Sequence, residues 1–424
     1  MDCRILRELT VKSDGHICCD DSNGYDINLG FISEKRGWSL RKVIEGPIYN
    51  HVRTSFKNGV APWGETCKGC DLYHSGGNPV DTLNKKISLR IEPTLACDLA
   101  CAFCKRRREV SVRTGDWHLS LEKFKALINN CTSLNIEIDL ISYLGWGEPL
   151  NHPNFKELVS IARTLAPKTI QEVTTVANSN FEESVGNSEI DYIIISCDGI
   201  TQEKYQKYRI NGKLSMVFDF IKDSRLCKNI NTKIIWKYIL FEHNDDTADI
   251  NFVQNFADEN EINEVHFILT NTKNRSKKFT IENIADFPLT SNRARIVPAA
   301  ALQRIVKSHT ETMSNLELRS GKLTGYIDVL HITNSDMIIC QGWAMSSSGQ
   351  PIHSLKASVD GKSYLNAVSI GEARPDVREH VSGAQGLNFG FTVQIPLKSK
   401  LIKNLYLLFQ LEINGENMVI ELNF

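Results

Sequence analysis

The stretch that decides the fold is Thr94-Leu95-Ala96-Cys97-Asp98-Leu99-Ala100-Cys101-Ala102-Phe103-Cys104. Its three cysteines fall at C-x3-C-x2-C spacing, directly after a strand-like run, Lys86-Ile87-Ser88-Leu89-Arg90-Ile91. Iron–sulfur clusters are held by cysteine thiolates, and three thiolates on one loop leave one iron of a cubane to a ligand that is not protein. A four-cysteine zinc site needs a fourth ligand nearby, and this loop offers none. Three packed thiols would show the same spacing, so the rest of the chain has to decide.

Working outward, residues 85 to 275 alternate strand-like and helix-like segments. Strands are expected over 87–91, 136–144, 170–176, 191–197, 232–241 and 263–270, and helices near 120–130, 154–166, 201–207, 214–227 and 247–259. Ser120 stands where an N-cap belongs. Repeated βα units predict a parallel sheet flanked by helices, and six of them predict a partial (β/α)6 TIM-like barrel. Ligands in such folds sit at the carboxyl ends of the strands, where the cysteine loop lies. The run Lys105-Arg106-Arg107-Arg108 beside that loop reads as a solvated loop, with phosphate binding left open. His243, in the Glu242-His243-Asn244 tip after the fifth strand, reads as a solvated loop histidine or a proton carrier.

The flanks have a different character. Residues 1–80 are rich in turns and cysteine: Cys3, an Asp14-Gly15 turn, the pair Cys18-Cys19, a helical stretch from Trp38 to Lys57, and Cys67-Lys68-Gly69-Cys70. A C-x-x-C turn aims two sulfurs at one metal site. Residues 276–319 read as a linker with a helix over 299–309. Residues 320–424 show short alternating runs with turn signals, as in an all-β sandwich. The fold class expected is therefore α/β, with a small cysteine-rich N-terminal module and a C-terminal all-β domain.

Four features together resemble the radical S-adenosylmethionine (radical SAM) superfamily. They are the Cys97/Cys101/Cys104 triplet, Gly145-Trp146-Gly147-Glu148-Pro149 after the second strand, Ser196-Cys197-Asp198-Gly199 after the fourth, and Tyr205 to Gly212. Trp146 departs from the Gly-Gly-Glu-Pro pattern, and Thr175-Val176-Ala177-Asn178 lacks the glycine of a Thr-Asn-Gly strand end. The resemblance implies a [4Fe-4S] cluster on Cys97, Cys101 and Cys104 whose open iron chelates S-adenosylmethionine (AdoMet). It implies that Phe103, Gly147, Glu148, Asn178, Ser196, Asp198 and Arg209 bind that cofactor, with Arg209 facing its carboxylate. The activity implied is reductive cleavage of AdoMet to a 5′-deoxyadenosyl radical that abstracts hydrogen from a substrate carbon.

The N-terminal cysteines resemble the auxiliary-cluster module called SPASM or twitch, here placed before the core instead of after it. By that resemblance a second [4Fe-4S] cluster takes Cys3, Cys67, Cys70 and one of Cys18 and Cys19, with Cys19 favoured; a structural zinc on the same ligands stays open. The C-terminal runs around Gly342-Trp343-Ala344 and Arg374-Pro375-Asp376-Val377 resemble a module attached to bacterial polysaccharide glycosyltransferases. An oxidation or rearrangement of a sugar or nucleotide-sugar is expected, with a peptide maturase and a non-catalytic zinc scaffold as alternatives. The partners expected are a small-molecule or peptide substrate and an electron donor such as flavodoxin or ferredoxin.

The composition is consistent with this and excludes other classes. The 424 residues are 42% hydrophobic and 23% charged, as in a globular protein with a sizeable core. A formal net charge of −1 calls for no nucleic acid or anionic membrane. No stretch of about 18 apolar residues appears, so no membrane span is expected. The first residues lack an apolar signal core. Twelve cysteines without a secretory signal argue for reduced thiols and a cytoplasmic location.

Overall fold

The computed structural model describes residues 3–19, 27–68, 70, 73, 81–113, 117–226, 232–270, 272–280, 287–298, 316–320, 322–332, 337–359, 365–366, 369–385, 388–396, 404–410 and 417–423. The chain divides into two compact units, Met1–Lys237 with Asn260–Asn263, and Tyr238–Glu259 with Glu264–Phe424.

In the first unit come β1 (Glu8–Val11), β2 (His16–Cys18), β3 (Asn28–Phe31), α1 (Leu40–Ile44), α2 (Pro47–Lys57), α3 (Gly64–Lys68) and β4 (Lys86–Ile91). Then follow α4 (Arg106–Val112), α5 (Leu121–Ser133), β5 (Glu137–Tyr143), α6 (Phe155–Leu165), β6 (Ile170–Thr175), α7 (Phe181–Ser184), β7 (Tyr192–Ser196), α8 (Gln202–Tyr208), α9 (Leu214–Leu226) and β8 (Lys233–Leu240), which belongs to this unit as far as Lys237. The strand order is β8-β7-β6-β5-β4-β1-β2-β3, and every neighbour pair from β4 to β8 is parallel.

The helices bury the faces their spacing dictates. α5 turns Phe124, Leu127, Ile128 and Cys131 inward, and α6 turns Phe155, Leu158, Val159 and Ala162 inward. Ser120 caps α5, its hydroxyl accepting from Lys123 N at 3.2 Å, as its position in the sequence suggests. Thr201 caps α8 in the same way at 3.3 Å.

Three features differ from the sequence reading. The helical stretch expected over 38–57 is two helices, because Pro47 has no N–H to continue α1 and instead opens α2. A side chain at Gly46 would meet Lys42 O at 2.6 Å, so the corner needs glycine. The run after Lys105 is helix and not loop: it opens α4 with Lys105, Arg107 and Arg108 exposed, while Glu109 of that helix and Arg113 just after it are buried. Finally, β1 pairs parallel with β4, Glu8 opposite Ser88 through to Val11 opposite Ile91. The N-terminal residues therefore extend the parallel sheet, with β2 and β3 antiparallel beyond them.

The second unit holds α10 (Thr247–Glu259), the parallel pair β9 (Glu264–Leu269) and β10 (Ala294–Pro298), and then only antiparallel sheet. Its strands are β11 (Leu316–Ser320), β12 (Leu323–Ile332), β13 (Met337–Ser346), β14 (Ser354–Ser358), β15 (Leu365–Asn366), β16 (Ser369–Glu372), β17 (Gly390–Pro396), β18 (Asn404–Gln410) and β19 (Asn417–Asn423). They form sheets of order β11-β12-β13-β17-β16 and β15-β14-β18-β19. Ile327, Ile338, Phe391 and Val393 of one pack with Leu355, Leu405, Leu407 and Phe409 of the other in a single core. The helix expected over 299–309 lies outside the described residues. Among those residues, no helix is long and apolar enough to cross a membrane.

Candidate functional site

The cysteine loop leaves β4 and is held at both ends by backbone bonds. At its root, Leu119 N donates to Pro93 O at 2.8 Å and Leu95 N to Trp117 O at 2.7 Å. Across its middle, Ala100 N donates to Ile210 O and Ala102 N to Tyr208 O, both at 3.0 Å. The segment after α8 is thereby laid along the triplet. Cys97, Cys101 and Cys104 are all half-buried on this loop.

The turn after β5 sits directly on the loop's root. Glu148 N donates to Ala96 O at 2.8 Å, and a Cβ on Gly147 would stand 2.8 Å from that same oxygen and inside the contact distance of Thr94 O. A Cβ on Gly145 would overlap the side chain of Glu92. Both glycines are therefore required by close backbone approach. The Glu148 carboxylate is held by three donors: Thr175 Oγ1 at 2.6 Å, Val176 N at 2.9 Å and Leu150 N at 3.2 Å. Burial pushes this carboxyl above its ordinary range, although those three donors and the Arg209 charge oppose the shift. Glu148 thus ties the ends of β5 and β6 together.

Arg209 and Asp198 form a buried pair, with Arg209 Nε donating to Asp198 Oδ2 at 2.6 Å. The guanidinium reaches Cys101 Sγ at 4.0 Å through Nη1, and its carbon lies 4.6 Å from the Tyr208 ring centroid. Phe103, 44% exposed, stacks on that tyrosine with centroids 5.9 Å apart. The structure thus brings together the triplet, Phe103, Asp198 and Arg209, with Gly147 against the loop's root. Ser196 is buried at the end of β7. Asn178 is elsewhere engaged, its amide oxygen accepting from Lys213 N at 2.9 Å.

The donors fit a cluster bound to this loop. Burial pushes the Cys97 thiol up to about 12 and the Cys101 thiol above its usual value, the Arg209 charge opposing the shift at Cys101, so added positive charge favours both thiolates. Iron supplies such charge. Tyr205 Oη, buried beneath Arg209 and the loop, has no hydrogen-bond partner among the described residues.

The N-terminal cysteines divide between two environments. Cys3, Cys19, Cys67 and Cys70 line one pocket, walled by Ile5, Ile27, Phe56, Pro62, Trp63 and Tyr73. Cys18, at the end of β2, is buried and donates to Thr10 O at 3.7 Å. Successive strand residues face opposite ways, which separates the two sulfurs. No group of three or more His, Cys, Asp or Glu side chains among the described residues is arranged to hold a single metal ion. A cubane does not ask for that arrangement, because each of its thiolates takes a different iron.

Glu92 escaped the sequence reading. Thr175, Tyr205 and Tyr208 lay inside segments that it singled out, but without a role of their own. His243 lies in the second unit, its ring stacked on Phe241 at 5.4 Å.

No family model matches the chain. Over 132 residues it is 26% identical to a protein described as a probable GTP 3′,8-cyclase from Methanopyrus kandleri, a span that is 30% of this chain and 39% of that one. The chain thus matches less than half the length of this curated relative. Among solved structures, one similar chain is native anSMEcpe with bound AdoMet, at a TM-score of 0.36 and 16% identity over 44% of this chain and 55% of that one. Another is coproporphyrinogen III oxidase from Escherichia coli, described as a radical SAM enzyme, at 0.31 and 9% over 61% and 66%. None of these superpositions places a residue of the site. The chain is similar, then, to enzymes, one of them described as a radical SAM enzyme.

Proposed function

We propose that this chain is a radical SAM enzyme whose core is the partial (β/α)6 barrel of that superfamily. One observation carries the reading. Three sequence features that lie far apart along the chain meet at the carboxyl end of β4: the triplet loop, the Gly145–Glu148 turn bonded to Ala96 O, and the Tyr208–Ile210 segment bonded to Ala100 and Ala102. In this reading Cys97, Cys101 and Cys104 hold a [4Fe-4S] cluster, and Phe103, Gly147, Glu148, Asn178, Ser196, Asp198 and Arg209 form or support the AdoMet site.

When bound, the cluster and AdoMet supply one-electron cleavage of a sulfonium–carbon bond, giving methionine and a 5′-deoxyadenosyl radical that takes hydrogen from substrate. The chain's own residues bind and orient. Arg209, oriented by Asp198, presents a fixed positive charge beside Cys101, suited to an anionic carboxylate or to the ligating sulfur itself. Phe103 and Tyr208 give a planar apolar wall for a base ring. Glu148 fixes the turn that must clear the cofactor.

The pocket lined by Cys3, Cys19, Cys67 and Cys70 supports an auxiliary [4Fe-4S] cluster with all four ligands from protein, which suits electron transfer over substrate ligation. A sugar or nucleotide-type substrate fits the curated relative, which is named for GTP, a phosphorylated ribonucleoside. Reduction requires a low-potential one-electron donor, a flavodoxin or a ferredoxin.

Anaerobic purification, iron analysis and incubation with AdoMet and dithionite test the reading. The expected result is a brown protein that releases 5′-deoxyadenosine, and a Cys101→Ala variant that does not. Cleavage at the wild-type rate by that variant would remove the triplet from the mechanism. A screen of deuterated sugars and nucleotides for transfer into 5′-deoxyadenosine then identifies the substrate.

A further inference from the structure

Behind the cysteine loop lies a buried group of four charges that the proposed chemistry does not use. Glu92, 2% exposed, follows β4 by one residue. Arg113, at the end of α4, binds both its oxygens: Nη1 on Oε1, and Nη2 on Oε2 at 3.4 Å. The same guanidinium holds Glu109 Oε2 through Nη2 at 2.6 Å and Nε at 3.1 Å. Lys12, 1% exposed, places Nζ 3.9 Å from Glu92 Oε2. Two carboxylates thus balance two cations, the condition under which such a group tolerates burial.

The connections of Glu92 go further than charge balance. Its Oε1 accepts from Ser13 N at 3.2 Å and its Oε2 from Trp146 N at 3.0 Å. One carboxylate therefore joins the hairpin after β1, the turn after β5 and the end of α4. The cysteine loop is clamped on both sides: Glu92 stands five residues before Cys97, and Glu109 five residues after Cys104. Gly145 exists in this geometry to admit Glu92, since any Cβ there would overlap its side chain.

We infer that Glu92 is a positioning residue for the AdoMet site, and that Lys12 and Ser13 of the N-terminal segment belong to the same support, which sets the distance between the cysteine loop and the Gly145–Glu148 turn. This rests on the proposed AdoMet site. It gives the early placement of the cysteine-rich segment a physical role besides carrying thiols. β1 lies against β4, and its end supplies a cation and a backbone donor to the carboxylate that orders the turn.

Glu92→Gln tests this in the full-length, anaerobically reconstituted protein. It keeps the side chain's shape and removes the negative charge that faces Lys12 and Arg113. The expected result is iron content equal to wild type, AdoMet affinity weakened tenfold or more by equilibrium dialysis, and loss of the change in the reduced cluster's EPR spectrum at AdoMet concentrations that saturate wild type. A purely structural carboxylate would lower the melting temperature and leave AdoMet affinity within twofold of wild type, and that result overturns the inference. Should Glu92→Gln fail to fold, Lys12→Met decides: it leaves the Glu92–Arg113 pair intact, and affinity weakened at least threefold is expected, whereas unchanged affinity overturns the inference. Wild-type protein that holds iron but takes up no AdoMet overturns the family reading and this inference with it. Wild-type affinity beside unaffected variants overturns the inference alone.

Discussion

Arg209 is 8% exposed and has a fully buried Asp198 as its ion-pair partner. Breaking such a pair strands a charge and costs about 3–5 kcal/mol. Asp198→Asn keeps an acceptor, so a loss of about 3 kcal/mol in urea unfolding of the metal-free chain is expected. Gly147 is the second residue whose role is geometric. Gly147→Ala sets a methyl against the carbonyls of Thr94 and Ala96, which are backbone and cannot swing aside. Overpacking of this kind costs about 1–3 kcal/mol. It should also move the loop's root, so 5′-deoxyadenosine formation is expected to fall more than stability does. The cysteine pair offers a test by contrast. Cys19→Ala should lose about four irons per chain and Cys18→Ala none, because only Cys19 lines the pocket with Cys3, Cys67 and Cys70.

Among elements, the pairing of β1 with β4 and the position of α4 decide most about the site, since both form the floor of the cysteine loop. In the second unit, the pair β9–β10 carries its own ionic lock. Arg295 contacts Glu264 through Nη2 and donates to Ile370 O at 2.8 Å through Nη1, while His266 Nε2 lies 2.7 Å from the same carboxylate. Burial alone would raise the Glu264 carboxyl, but the Arg295 charge and the His266 bond more than offset it and hold the group well below the carboxylate range. A carboxyl depressed in the folded state contributes stability above its unfolded pKa of about 4.3, and the contribution is lost as pH falls below that toward the folded value. Melting temperature should therefore drop on acidification below about pH 4.3. Glu264→Gln should melt lower at pH 7 and show a shallower acid limb. An unchanged limb would assign the acid sensitivity to other carboxylates.

For the whole molecule, the two proposed clusters would set a stoichiometry. Two cubanes amount to about eight irons per chain, and removal of the N-terminal set should leave about four, with AdoMet still cleaved. A protein retaining about eight irons without Cys3 and Cys67 would place the second cluster elsewhere. The antiparallel sheets of the second unit share a core of their own, in which Phe391 and Phe409 meet edge to face at 5.7 Å.

The sequence by itself determined the α/β class and the alternation of helices with the parallel strands from β4 to β8. Those follow from local periodicity and from spacing within short segments, such as the triplet and the Ser120 cap. The break at Gly46-Pro47 was equally local, and the residues to read it were present. Only the tertiary structure decided the rest. Whether Cys18 or Cys19 faces the pocket depends on which face of the sheet at β2 the rest of the unit packs against. The parallel pairing of β1 with β4 joins residues 80 apart, Glu8 with Ser88, which no window can register. Glu92, Arg113, Lys12 and Trp146 are ordinary charged or aromatic residues along the chain. They become one support only because folding removes their water and leaves each the others as partners.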